Sequence, residues 1–115
     1  MYTLSYKNVI EEDFKAARKN ESIAFDKVIE LLENGKIAGL QSSETELALD
    51  RVRDLWKFFV DDLVNPDNQL PNNTKGTLIS IGLWVMREVD KIRYKESEDI
   101  DSIIAVNRLI RDGLV

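Results

Sequence analysis

The stretch LISIGLWVMREVDKIR, residues 78–93, decides the fold predicted for this chain. Its periodicity is that of an amphipathic helix, because at 100° per residue one stripe contains Leu78, Gly82, Val85, Val89 and Ile92. Three further apolar residues widen that stripe on either side: Ile81, Trp84 and Met86. Every charge lies in the second half of the stretch, so the first half has little to present to water. We therefore predict a helix that is central to a small bundle or pressed against a partner.

The composition of the chain is that of one small globular domain. Its 115 residues match the usual size of a single domain, with 43% apolar and 32% charged residues. The longest uncharged apolar run, residues 78–86, is nine residues long, whereas a membrane-spanning helix needs about 20. The opening MYTLSYKN lacks the basic and apolar regions of a signal peptide, so we expect neither a signal peptide nor a membrane segment.

Two residue types that carry much of protein chemistry are missing. The chain has no cysteine and no histidine, which excludes disulfides, thiolate nucleophiles and imidazole or thiolate metal ligands. We therefore expect no enzyme activity, no cofactor and no metal site. Lysine and arginine number 16 against 21 acidic residues, a net charge of −5 without a basic cluster. Because phosphate-backbone binding depends on clustered positive charge, direct nucleic-acid binding is not expected.

The N-terminal third of the chain predicts a long helix over residues 6–34. Its apolar residues recur at three- and four-residue steps: Ile10, Phe14, Ala17, Ala24, Val28 and Leu31. Glu21 falls on the same line. The pattern fits one helix or two helices end to end that meet near Asn20. Gly35 is the expected residue just after the helix, and Gly39 adds a second break.

Three further helices are predicted over residues 43–64, 74–96 and 99–112. Ser42 or Ser43 starts the second, where Ser43 and Glu46 fit a capping box, and proline after Asn65 ends it. Thr74 is the expected N-cap of the third, and Ser97 or Asp99 of the fourth. The buried stripe predicted for the fourth helix contains Ile100, Ile103, Ile104, Asn107 and Ile110. Since no stretch alternates in the manner of a β-strand, the sequence predicts an all-α fold. Short connections favour a small bundle of about four helices in a single domain over residues 1–115.

Few residues of the predicted helices could carry function. The adjacent carboxylates Asp61 and Asp62 point about 100° apart on a helix, so they do not converge on one ligand. Gly82 costs helix stability and indicates a close helix–helix approach.

The two tryptophans, Trp56 and Trp84, fit either a core or a partner-binding surface. A bundle with several wide apolar faces could offer a groove to an amphipathic partner helix. If it does, we expect partner contacts near Trp56, Phe59, Trp84 and Arg87.

Segments along most of the chain together carry a family resemblance: the tyrosine-containing start (Met1 to Tyr6), Arg18, Glu21, residues 29–33, Asp61 to Leu63, Asn65, Pro66, Asn68, Leu70, Pro71, residues 78–88, Asn107 and residues 110–114. With these segments the chain resembles the FlaF family of flagellar biosynthesis regulators. The strongest segment is residues 78–88, LISIGLWVMRE, and the largest departure lies in residues 36–46.

This resemblance implies a cytoplasmic helical protein that is needed for flagellum assembly. It implies flagellin as the partner, and a role as a secretion chaperone that influences flagellin synthesis and export. An FlbT-like regulator, which acts on flagellin messenger RNA, is a second possible partner. Two alternatives stay open: a post-transcriptional regulator that works through such a partner, and a self-associating helical adaptor. The oligomeric state does not follow from the sequence.

Overall fold

A computed structural model describes the backbone of residues 2–114 and the side chains of residues 20–114. The described chain is 81% helical and forms a small all-α bundle without strands, which confirms the predicted fold class. The four helices in chain order are α1 (Tyr2–Ala38), α2 (Ser43–Val64), α3 (Asn72–Arg93) and α4 (Ile100–Gly113). Within the described part of the chain, no helix is both long and apolar enough to span a bilayer.

Helix α1 is longer than the predicted 6–34 and continues through Asn20 without a break. It does not end at Gly35. Gly35 is buried against α2, and a Cβ on it would lie 2.7 Å from Oγ1 of Thr45 and 2.9 Å from its Cα. The helix ends at Ala38, where the following Gly39 has a φ of +110°, a value that glycine adopts without strain. Gly35 therefore serves helix packing, and Gly39 serves chain reversal.

The other helix ends follow from local hydrogen bonds. The hydroxyl of Ser42, the N-cap of α2, accepts from the backbone N–H of Thr45, and the carboxylate of Asp99 does the same for Ser102 at α4. The capping box predicted for Ser43 and Glu46 is wrong, because Ser43 is already the first residue of the helix. Helix α3 begins directly after Pro71 rather than at Thr74, and its N-cap makes no side-chain hydrogen bond. It ends at Arg93 rather than at residue 96, while α4 covers Ile100–Gly113 rather than 99–112.

Consecutive helices run antiparallel and surround the core in the order α1, α2, α3, α4. Arg53 pairs with Asp90 at 2.7 Å, and Arg93 pairs with Asp50, so the chain directions of α2 and α3 oppose each other. Helix α4 packs on α1 and α3, and the α3–α4 pair makes the least close approach of the four neighbouring pairs. The molecule measures 58 × 24 × 18 Å, and its length reflects α1, which spans about 55 Å.

The core contains apolar residues from all four helices. Its members are Phe25, Val28, Ile29, Leu32, Ala48, Leu49, Val52, Trp56, Phe59, Leu63, Val85, Val89, Ile92, Ile100, Ile103, Ile104 and Ile110. The predicted stripe of α3 is the buried one, since Gly82, Val85, Val89 and Ile92 all point inward. Gly82 makes the close approach expected of it: a Cβ there would lie 2.7 Å from Cγ2 of Val60.

One hydrogen bond crosses the centre of the bundle. The indole Nε1–H of Trp56 on α2 donates to Oδ1 of Asn107 on α4 at 2.9 Å. The amide of Asn107 in turn donates to the carbonyl oxygen of Ile103 at 2.7 Å. Both residues are fully buried, so this bond gives the indole N–H and the amide oxygen a partner where water cannot reach them. This pair sets the relative height of two helices that are diagonal to each other in the bundle.

Candidate functional site

Two of the four residues expected at a partner groove lie in the core. Trp56 is fully buried and Phe59 nearly so, and both pack edge to face with Phe25 at ring-centroid distances of 5.5 Å and 5.8 Å. Their own rings lie 5.5 Å apart in the same geometry. The structure therefore places Trp56 and Phe59 in the core rather than on the surface, because the helix stripe that carries them faces inward.

The other two residues, Trp84 and Arg87, reach the surface of α3. The contacts between α3 and α2 show which side of α3 faces which neighbour. Gly82 touches α2, and Arg53 of α2 donates to the backbone oxygen of Met86 and to the carboxylate of Asp90. These α3 positions recur every fourth residue and so form one line along the helix.

The opposite flank of α3 faces α4. On the other side of the buried stripe lie Ile81, Trp84 and Glu88, again at three- and four-residue spacing. Since α3 neighbours α2 and α4, this second line borders the seam with α4. Ile81 and Trp84 are half-buried and pack against the core with part of their surface left accessible.

Helix α4 contributes the other side of that seam. Its α1 flank is marked by three residues that form ion pairs with α1: Asp101, Arg108 and Arg111. Val106 and Leu109 lie across the buried stripe from this line, on the side of α3. Val106 is half-buried, whereas 68% of Leu109 is exposed. An exposed leucine next to half-buried apolar side chains extends the apolar surface into solvent.

These residues lie on the two flanks that face each other across the seam. Ile81 and Trp84 border it on α3, and Val106 and Leu109 border it on the antiparallel α4. We call the surface formed by Ile81, Trp84, Val106 and Leu109 the α3–α4 face.

Few charges border the α3–α4 face. Cross-helix ion pairs join α1 to α4 and α2 to α3, whereas among the described residues none joins α3 to α4 or α1 to α2. Next to the face, Lys91 pairs with Glu88 within α3 at 3.2 Å. Arg87 is exposed one turn after Trp84 and makes no ion pair with a described residue. The face is therefore apolar with one exposed guanidinium at its edge.

A concave region lies between α1 and α4 and has a volume of about 440 Å³. Its lining residues are Glu33, Lys36, Ile37, Asp101, Ile104 and Arg108. Two ion pairs, Lys36 with Asp101 at 2.7 Å and Arg108 with Glu33, cross this cleft and occupy its charged groups. Among the residues described, no group of three or more carboxylates converges in the manner of a metal site. The cleft thus offers less unsatisfied surface than the α3–α4 face.

One titratable group is perturbed at the end of the bundle. Glu21 lies on the core-facing line of α1, as its spacing predicts, and is half-buried. This partial burial, followed by the nearby carboxylate of Asp62, raises the pKa of Glu21. Burial of a carboxylate near a like charge lowers the stability of the fold at neutral pH.

Sequence reasoning missed the α4 half of the face. The stripe predicted for α4 included Ile100, Ile103, Ile104 and Ile110, and the structure buries all four. Leu109 falls outside that stripe, and an apolar residue off the buried stripe of an amphipathic helix was the available signal.

The fold and the face define a class: a small antiparallel four-helix bundle with an apolar surface along one helix seam. Residues 2–114 match the family model described as flagellar protein FlaF, and the chain belongs to this family of flagellar proteins. A search of curated proteins and a search of solved structures returned no match.

Proposed function

We propose that this protein binds flagellin in the cytoplasm, acts as a secretion chaperone and thereby influences flagellin synthesis and export. Family membership supplies the flagellar context. The observation that supports binding is the α3–α4 face, on which Trp84 and Leu109 leave apolar surface in solvent. The terminal helices of flagellin are amphipathic and assemble through their apolar sides. A protein that covers such a side before export needs an apolar helix seam of this kind.

Binding rather than catalysis is the consistent role for this chain. The face contains aliphatic and aromatic side chains, an arginine at its edge and no nucleophile or general base. Tryptophan and arginine are the residue types that most often dominate the energy of an interface. The proposal includes no cofactor and no direct contact with nucleic acid. An effect on flagellin messenger RNA would then pass through a second protein such as an FlbT-like regulator.

The direct test is calorimetry of the purified protein with purified flagellin. We expect binding in the micromolar range or tighter, and a loss of at least tenfold in Leu109→Ser, since an interface hot spot contributes about 1–2 kcal/mol or more. Ile37→Ser is the matched control, because Ile37 is 86% exposed on α1, away from the face. It should bind as the wild type does.

Two results would contradict the proposal. The first is the absence of heat and of co-elution at tens of micromolar. The second is equal binding by the Leu109 and Ile37 variants, which would place flagellin elsewhere on the molecule. Light scattering across a dilution series separates the competing adaptor role, since self-association through the same face would give a dimer that Leu109→Ser dissociates.

A further inference from the structure

Arg87 occupies a special place on the surface of α3. It is exposed and lies about one turn after Leu83 and Trp84, so its side chain extends over an apolar turn of the helix. Leu83 is itself 51% exposed. From Asn72 to Arg87, α3 carries no acidic residue. The guanidinium therefore lacks a carboxylate on the preceding four turns of its own helix.

Most other arginines of the described chain are engaged in ion pairs. Those with a carboxylate within 4 Å are Arg53, Arg93, Arg108 and Arg111, and each reaches across to a neighbouring helix. Arg87 and Arg51 are the described arginines outside this set. Arg51 lies on the exposed side of α2 beside Asp50 and one turn before Asp54. The two acidic residues that follow Arg87 on α3 are both engaged, because Glu88 accepts from Lys91 and Asp90 accepts from Arg53.

We infer that the helix bound on the α3–α4 face carries a carboxylate that pairs with Arg87. The inference rests on the proposed function and deepens it, since it concerns the same face and the same bound helix. A guanidinium next to an apolar contact recognises a carboxylate through two parallel N–H···O bonds, and the apolar surroundings strengthen such a pair by excluding water. The occupant is then an amphipathic helix with Asp or Glu at the border of its apolar stripe.

Two synthetic peptides test this chemistry without reference to flagellin. Both are 18-residue amphipathic helices with one leucine stripe, and they differ by Glu or Gln at the positions that border the stripe. At low salt we expect the Glu peptide to bind the wild-type protein about threefold to tenfold more tightly than the Gln peptide. Arg87→Gln should abolish this preference, and Arg51→Gln, which removes the same charge from an equally exposed site, should retain it.

The outcomes are distinct. A Glu preference that persists in Arg87→Gln, or no binding of either peptide, overturns the inference. The same variants measured with flagellin separate it from the proposed function. If flagellin fails to bind the wild type while the peptide preference depends on Arg87, the inference stands and the assignment of flagellin fails. If flagellin binds Arg87→Gln as tightly as the wild type, the flagellin assignment stands and the inference fails.

Discussion

Replacement of Asn107 by alanine removes the acceptor of the hydrogen bond that crosses the core. The indole N–H of Trp56 then keeps no partner in a fully buried site, where a lost partner costs about 1–3 kcal/mol. The cavity left by the deleted amide adds a smaller amount, so we expect Asn107→Ala to destabilise the protein by about 2–4 kcal/mol. That is a large fraction of the stability of a small domain, which is roughly 5–15 kcal/mol.

The measurement is urea denaturation followed by circular dichroism at 222 nm. This helix signal does not depend on the tryptophans, so Trp56 variants can be compared directly. Trp56→Phe and the double variant complete a mutant cycle. The double variant should lose about 1 kcal/mol or more less stability than the two single variants lose together, since it leaves neither hydrogen-bonding group without a partner.

Asn34→Ala is the control for asparagine replacement in a helix. Asn34 is exposed on α1, and its replacement should change stability by less than about 0.5 kcal/mol. The reasoning fails if Asn107→Ala costs no more than this control, or if the cycle gives no coupling between Asn107 and Trp56. Either result would mean that the buried pair does not stabilise the arrangement of α2 and α4.

Two further predictions concern stability. Gly82→Ala should destabilise the protein by about 1–3 kcal/mol, because its Cβ would overlap side chains of α2. Gly76→Ala on the same helix is the control: its Cβ meets nothing within 4 Å, so it should stabilise the protein by up to about 1 kcal/mol. Thermal melts compare the two variants, and a Gly82→Ala variant more stable than the wild type would contradict the close packing. Glu21→Gln should raise the free energy of unfolding at pH 7. Partial burial and the carboxylate of Asp62 raise the pKa of Glu21, so the stability of the wild type falls as the pH rises through the titration of Glu21. Urea titrations at pH 7 and below pH 4 test this, since the gain should shrink when Glu21 is protonated. An equal gain at both pH values would show that the effect is not electrostatic.

The sequence predicted the helices because their signals are local. Apolar spacing and residues such as Pro66 specify where α2 lies, and the predicted 43–64 corresponds to Ser43–Val64. The close approach at Gly82 was also predictable, since a glycine inside a strongly apolar helix indicates a neighbour too near for a side chain.

Other features needed the packed structure. Gly35 and Gly39 both fit a helix end by local rules. Gly35 packs closely against Thr45 within the helix, whereas Gly39 has the positive φ that ends α1. Asn107 was on the predicted stripe of α4, yet its bond to Trp56 depends on the height at which two diagonal helices meet.

The sequence by itself therefore determined that residues 78–93 form an amphipathic helix of a small bundle, because periodicity is a property of the chain alone. Its predicted central position was wrong, since α3 is one of four helices around the core and packs closely only on α2. The sequence could not decide which of its aromatic residues remain accessible, since Trp56, Phe59 and Trp84 all lie on or beside apolar stripes. The order of the helices around the core decided this. It buries Trp56 and Phe59 and leaves Trp84 partly accessible on the flank of α3 that faces α4.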